Sequence, residues 1–219
     1  MSLILNLETS TKNCSISIAE NGKCLSYIEE LSDQYFHSEK LHTFIQYVIN
    51  ISNINIRNIQ SVCVSEGPGS YTSLRIGSSA AKGLCYSLGI PLLSIDSLTI
   101  MIQKINIKSD FFIPIIHTKS DLFYVSLFNE SKKRLSSIKS VKMFSKKFLK
   151  KIKNKKVCFI ANIEFFEFLH KTLYGKNFNI KNEFFYKKYP SAMDMSLISY
   201  EKFCKKKFHN IDKFIPFYL

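Results

Sequence analysis

Tryptophan is absent from this 219-residue chain, and glycine, proline and arginine are scarce at seven, five and three residues. Six of the glycines precede residue 90, so the latter half has no glycine-rich loop of the kind whose backbone amides cradle a phosphate. The six cysteines, at 14, 24, 63, 85, 158 and 204, include no C-x-x-C pair, which argues against a zinc knuckle or a redox couple. Their scatter reads as free thiols in a reducing cytoplasm. Long apolar runs are missing too. The one after Met1, Leu3 to Leu7, breaks at Glu8 and is too short for a signal peptide, and none approaches the roughly 18 residues of a membrane span. Neither a G-x-S-x-G nucleophile elbow nor the G-K-[ST] ending of a Walker loop occurs, so nucleophilic and P-loop chemistry have no local signature.

Positive charge is plentiful but unevenly placed. Residues 1–100 hold 6 Lys and Arg against 8 Asp and Glu, whereas residues 101–219 hold 25 against 9, and the formal net charge is +14. Because 28 of the 31 basic residues are Lys, the excess reads as compositional drift on a solvated face, with electrostatic attraction of RNA as the alternative. This shift suggests two lobes, 1–103 and a reduced, basic 104–219.

The first lobe reads as α/β. Leu3–Leu7 is a buried strand. Ser15–Ile18 and Cys24–Glu29 flank Asn21-Gly22, a two-residue hairpin signal. A helix is expected from Ser38, as N-cap, to about Ile51, then a strand over 57–65, a helix to about Leu88 and a strand over 91–95. The second lobe alternates again, with strands over 111–116, 122–128, 135–143 and 156–161, and helices over 145–153, 163–174 and 191–208. His37 and His42 are five residues apart and so fall on different faces of a helix, which disfavours a metal pair.

Two features carry the functional reading. The stretch Glu66-Gly67-Pro68-Gly69-Ser70-Tyr71-Thr72-Ser73-Leu74-Arg75-Ile76-Gly77 follows the apolar run Val62-Cys63-Val64 and opens a helix of small residues. Such a turn either offers amides and a helix dipole to an anion or only sets the angle of the helix. With no second clamp, the latter is favoured, and Ser70, Thr72 and Ser73 read as caps. Arg75 is the candidate for a polar contact with the Glu8 region or a partner. The second feature is the helix over 38–51, whose apolar positions Leu41, Phe44, Ile45, Tyr47, Val48, Ile49 and Ile51 sweep about 200°, twice the stripe a surface helix needs. Its neighbour presents Gly77, Ser78, Ala80, Ala81 and Gly83, small enough for close backbone approach. Partner docking through these two helices is expected, with intramolecular packing as the competing explanation.

Ile4-Leu5-Asn6-Leu7-Glu8-Thr9-Ser10-Thr11, His37-Ser38 opening a helix, the Gly67–Gly77 motif, Ala81-Lys82-Gly83-Leu84, Ile90-Pro91-Leu92 and Ser94-Ile95-Asp96-Ser97-Leu98 together resemble the TsaB (YeaZ) family. Pro216-Phe217-Tyr218-Leu219 resembles its closing P-x-Y-L. The resemblance is strong over about residues 2–100. It implies an actin/Hsp70-like (ASKHA, ribonuclease H-like) α/β fold in two lobes, with mixed sheets flanked by helices. It further implies a non-catalytic subunit paired with TsaD, the transferase that makes threonylcarbamoyladenosine on tRNAs reading codons that begin with adenine. TsaE, an ATPase, joins that pair, tRNA is met through the complex, and family members also form homodimers by the same surface. No cofactor, metal or membrane is implied. On this reading Glu8, Thr9, Gly67, Gly69, Ser70 and Arg75 form a vestigial phosphate-type turn. His37, Leu41, Phe44, Tyr47, Ile51, Tyr71, Leu74, Gly77, Ser78 and Ala81 form the partner interface. An autonomous ATP-binding phosphotransferase of the same fold is the alternative. Departures are Glu8 where the family commonly has Asp, and His117-Thr118-Lys119 in place of its D-A-R segment.

Overall fold

A computed structural model describes residues 2–33, 36–117, 122–142, 152, 154–161 and 183–218. The chain divides into two compact units, Met1–Ile100 with Pro190–Tyr218, and Met101–Tyr189.

The first unit is built on a five-stranded sheet ordered β3-β2-β1-β4-β5, from β1 (Leu3–Glu8), β2 (Asn13–Glu20), β3 (Lys23–Leu31), β4 (Ser61–Ser65) and β5 (Leu92–Ile95). β1 pairs antiparallel with β2, and β2 with β3, while β4 runs parallel to β1 and β5. Asn21 (φ 47°) and Gly22 (φ 82°) make the hairpin turn, in the left-handed conformation that this residue pair tolerates. β1 and β4 are buried along their whole length because both faces are covered. On one face Leu5, Leu7, Val62 and Val64 meet Leu41, Phe44 and Val48 of α1 (His37–Ile51) and Ala81 and Cys85 of α2 (Tyr71–Leu88). On the other, Ile4, Cys63, Leu93 and Ile95 meet Ile100 of α3 (Ser97–Ile102) and the 3₁₀ turn Ala192–Met195, which leads into α4 (Ser196–Cys204).

The second unit carries a sheet ordered β11-β10-β6-β7-β9, with β8 paired to β6. Its strands are β6 (Phe111–His117), β7 (Phe123–Val125), β8 (Phe128–Asn129), β9 (Lys139–Val141), β10 (Val157–Ala161) and β11 (Glu183–Lys187). β10 is parallel to β6 and β11, and Ile113, Ile115, Phe123, Val157 and Phe159 build its core. No helix among the described residues is long and apolar enough to cross a membrane.

Several expectations need correction. A single cut near residue 103 does not describe the units, because Pro190–Tyr218 belongs with the first. Ser17 Oγ donates to Ala192 O (2.8 Å) and Ala192 N donates to Ser15 Oγ (2.9 Å), bonds that net charge does not report. Helix α1 starts at His37, with Phe36 and not Ser38 at its N-cap. The strand expected over 57–65 is a 3₁₀ turn, Ile56–Asn58, followed by β4, and that expected over 122–128 is β7 and β8. The helix expected over 191–208 is the 3₁₀ turn and α4. Helices expected over 145–153 and 163–174, Thr118, Lys119, Gly175 and Leu219 lie wholly or mostly outside the described residues.

Candidate functional site

The glycine turn joins β4 to α2, and its shape follows from what presses on it. Gly67 has φ +101°, where L side chains are strained, and a Cβ there would stand 2.7 Å from Phe217 O. A Cβ on Gly69 would stand 2.1 Å from Ser10 O. Several of its backbone polar groups are engaged within the chain: Ser70 N donates to Ser10 O (2.7 Å), Ser97 N to Gly67 O (2.9 Å), Glu66 N to Ile95 O (3.0 Å) and Phe217 N to Glu66 O (2.6 Å). Ser70 occupies the N-cap of α2, yet its hydroxyl accepts from Ser73 Oγ (3.0 Å) and makes no side-chain cap bond. Ser10 and Phe217 therefore pack directly against the two glycines of the turn.

Beneath it lie Glu8 and Thr9. Thr9 N donates to Ser65 Oγ (3.2 Å), and a Cβ on Gly77 would meet Thr9 Oγ1 at 2.2 Å, so Gly77 brings the first turns of α2 onto the end of β1. Glu8 is fully buried, and its Oε1 accepts from Ser10 N at 2.6 Å. Burial pushes its carboxyl up to about 7, against the lowering effect of hydrogen bonds from Ser10 and Ser65, with Asp96 adding a further upward push. Arg75 does not reach this region. It is exposed, and its guanidinium lies over the Tyr71 ring at 4.2 Å.

The residues expected at the partner interface separate into two groups. His37, Leu41, Phe44, Leu74, Gly77, Ser78 and Ala81 are buried in the chain's own first unit. Burial holds the His37 imidazole below its ordinary range, partly offset by backbone bonds at Asn13 and Thr11. Tyr47, Ile51 and Tyr71 are exposed. The wide apolar arc of α1 is thus a core stripe with an exposed shoulder at Tyr47 and Ile51.

A groove of about 720 Å³ lies between the two helices. From α1 it takes Ser38 and His42, and from α2 Tyr71, Thr72, Arg75, Ile76, Ser79, Ala80, Gly83 and Leu84. A Cβ on Gly83 would meet nothing within 4 Å, and Tyr86 beside it on the helix is 81% exposed. The sequence points to Tyr71, Arg75, Ala80 and Gly83 of this lining but not to His42, Thr72, Ile76, Ser79 or Leu84. The usable signal was that Arg75, Ser79, Thr72 and Gly83 fall within about 80° on the helical wheel, opposite the buried Leu74 and Ala81.

A family model described as TsaD: tRNA N6-adenosine threonylcarbamoyltransferase matches residues 32–191. The tRNA threonylcarbamoyladenosine biosynthesis protein TsaB of Buchnera aphidicola subsp. Acyrthosiphon pisum is 31% identical over 134 residues, 59% of each chain. TsaB of Haemophilus influenzae is 31% identical over 100 residues, 46% of this chain and 42% of that protein. The chain thus matches about half of the length of these curated relatives. The solved structure of YeaZ from Pseudomonas aeruginosa superposes over the full length of both chains with a TM-score of 0.78 at 17% identity, which shows a shared fold. This chain belongs to the TsaD family, within which it resembles the proteins named TsaB or YeaZ.

Proposed function

We propose that this chain is a non-catalytic partner subunit of TsaD, required for threonylcarbamoyladenosine formation on tRNAs that read codons beginning with adenine. One contrast carries the reading: the chain fills its own glycine turn with Ser10 and Phe217 while leaving the groove between α1 and α2 open. Small residues along that groove, Ser79, Ala80 and Gly83, allow a partner helix to approach closely, and Tyr71 and Tyr86 offer rings that anchor an interface. The docking surface is therefore His42, Tyr71, Thr72, Arg75, Ser79, Gly83 and Tyr86, extended by Tyr47 and Ile51. The same face serves a second copy of the chain when TsaD is absent. TsaE joins the TsaB–TsaD pair, tRNA is met through the complex, and the six free thiols suit the cytoplasm where tRNA is modified. A glycine turn packed by Ser10 and Phe217, with no second glycine-rich loop in the sequence, supports a scaffold in preference to an autonomous phosphotransferase.

Reconstitution tests this reading. Purified TsaD and TsaE, with threonylcarbamoyl-adenylate and tRNA, are expected to form the modified nucleoside only when this chain is added. Full modification without it contradicts the proposal, as does micromolar Mg-ATP binding by the isolated chain in calorimetry.

A further inference from the structure

The residues beyond α4 return across the first unit and are held at several points. His209 N donates to Leu92 O at 2.9 Å, and its Nε2 lies 2.8 Å from Ser94 Oγ, whose hydroxyl also bonds the Glu66 carboxylate. Lys82 Nζ donates to Asp212 O (3.2 Å) and Phe214 O (3.3 Å). Phe214 is buried in the cluster that contains Val62, Ala81 and Cys85. Phe217 N then donates to Glu66 O at 2.6 Å, against Gly67.

The backbone of this strap is fixed, and among the described residues past Phe214 only Pro216 is buried, while Ile215, Phe217 and Tyr218 are turned to solvent. Ile215 is 72% exposed, Phe217 41% and Tyr218 37%. Ordering such a segment costs conformational entropy, and leaving its apolar side chains in water recovers little of it. The Tyr218 ring stands 4.8 Å from the Tyr71 ring at an interplanar angle of 46°, and Arg75 covers Tyr71 at 4.2 Å. Tyr71 and Arg75 line the groove, so strap and groove are one continuous surface.

We infer that the C-terminal strap, residues 214–218, is the second wall of the TsaD-docking face, with Tyr218 a contact residue that also fixes Tyr71. This rests on the docking reading above. Its chemistry asks for an apolar partner surface carrying a carboxylate: aromatic rings from Tyr71 and Tyr218 cover the apolar part and the Arg75 guanidinium meets the charge. Phe217 and the glycine turn act as the hinge pin that holds the two walls together.

Calorimetric titration of cognate TsaD with Tyr218→Ala, Tyr71→Ala and the double variant tests the inference, with thermal melts of each. Each single change is expected to weaken binding about tenfold with an unchanged melting temperature, and the double change by much less than the product, because the rings act as a pair. Tyr218→Phe retains affinity. If Tyr218→Ala itself lowers the melting temperature, Ile215→Asp, at an exposed position, carries the same expectation. Unchanged affinity in Tyr218→Ala and Ile215→Asp, with wild-type binding intact, overturns the strap's role alone, and losses that multiply fully overturn the ring pairing. Wild-type protein that fails to bind TsaD overturns the docking reading as well.

Discussion

Gly77 and Gly83 sit six residues apart on α2 and have opposite surroundings. An added Cβ at Gly77 would stand 2.2 Å from the Thr9 hydroxyl, whereas one at Gly83 would meet nothing within 4 Å. The first glycine lets the helix press on β1, and its role is complete within the chain. The second lies on the groove floor, where smallness has no internal reason. One helix therefore bears on both answers to the question posed by small residues at helical spacing: the inward face explains the fold, and the outward face is the one we propose for a partner.

Gly77→Val strikes the inward face hardest. The branched side chain collides with Thr9 and the end of a buried strand, and we expect a loss of about 3 kcal/mol in urea unfolding, large against the marginal stability of a domain. A smaller loss, near that of an exposed glycine, would mean that α2 is free to slide and that the contrast is weaker than drawn.

Glu8, under the same helix, gives a pH signature. Its folded-state carboxyl is raised from 4.5 to about 7, so the native state retains a proton that the unfolded chain has lost. Stability is then fullest below pH 4.5 for this group and falls as pH rises through 7, by up to about 3 kcal/mol. Glu8→Gln, which is neutral throughout, should flatten that part of the urea midpoint against pH profile. An unaltered slope would remove Glu8 as its source.

The outward face predicts the reverse pattern. Tyr86→Glu should change unfolding free energy by less than about 0.5 kcal/mol while weakening TsaD binding, since its ring is already in water. The smallest effect sharpens the pair directly. Gly83→Ala should stabilise the protein by about 0.5–1 kcal/mol through helix propensity, and Gly77→Ala should destabilise it, both read from chemical melts.

Much of the first unit was legible in sequence because its signals are local. Four apolar residues around Asn6 before Glu8, the Asn21-Gly22 turn and the 3.6-residue periods of α1 and α2 each specify an element without reference to distant chain. The direction each helix faces was not legible. A 200° apolar arc on α1 and small residues on α2 cannot say which half meets the sheet, so Leu41, Phe44, Leu74 and Ala81, which are buried in the first unit, were expected at the interface, and the groove lining at His42, Thr72 and Ser79 was not. The return of Pro190–Tyr218 to the first unit was equally hidden, because it depends on bonds between Ala192 and the serines of β2 and on Phe217 meeting Gly67. β11 was missed as well, its Phe184-Phe185-Tyr186 being bracketed by Lys and Glu.

The central claim is that the α1–α2 groove, and not the glycine turn, is where this chain acts. Gly83→Trp fills that groove at a position with room for it, so titrating purified TsaD with the wild type and with this variant isolates the claim. We predict a wild-type complex on gel filtration, and a variant that melts like the wild type yet forms no complex and supports no tRNA modification. A folded Gly83→Trp protein that binds TsaD and restores modification as well as the wild type would contradict it.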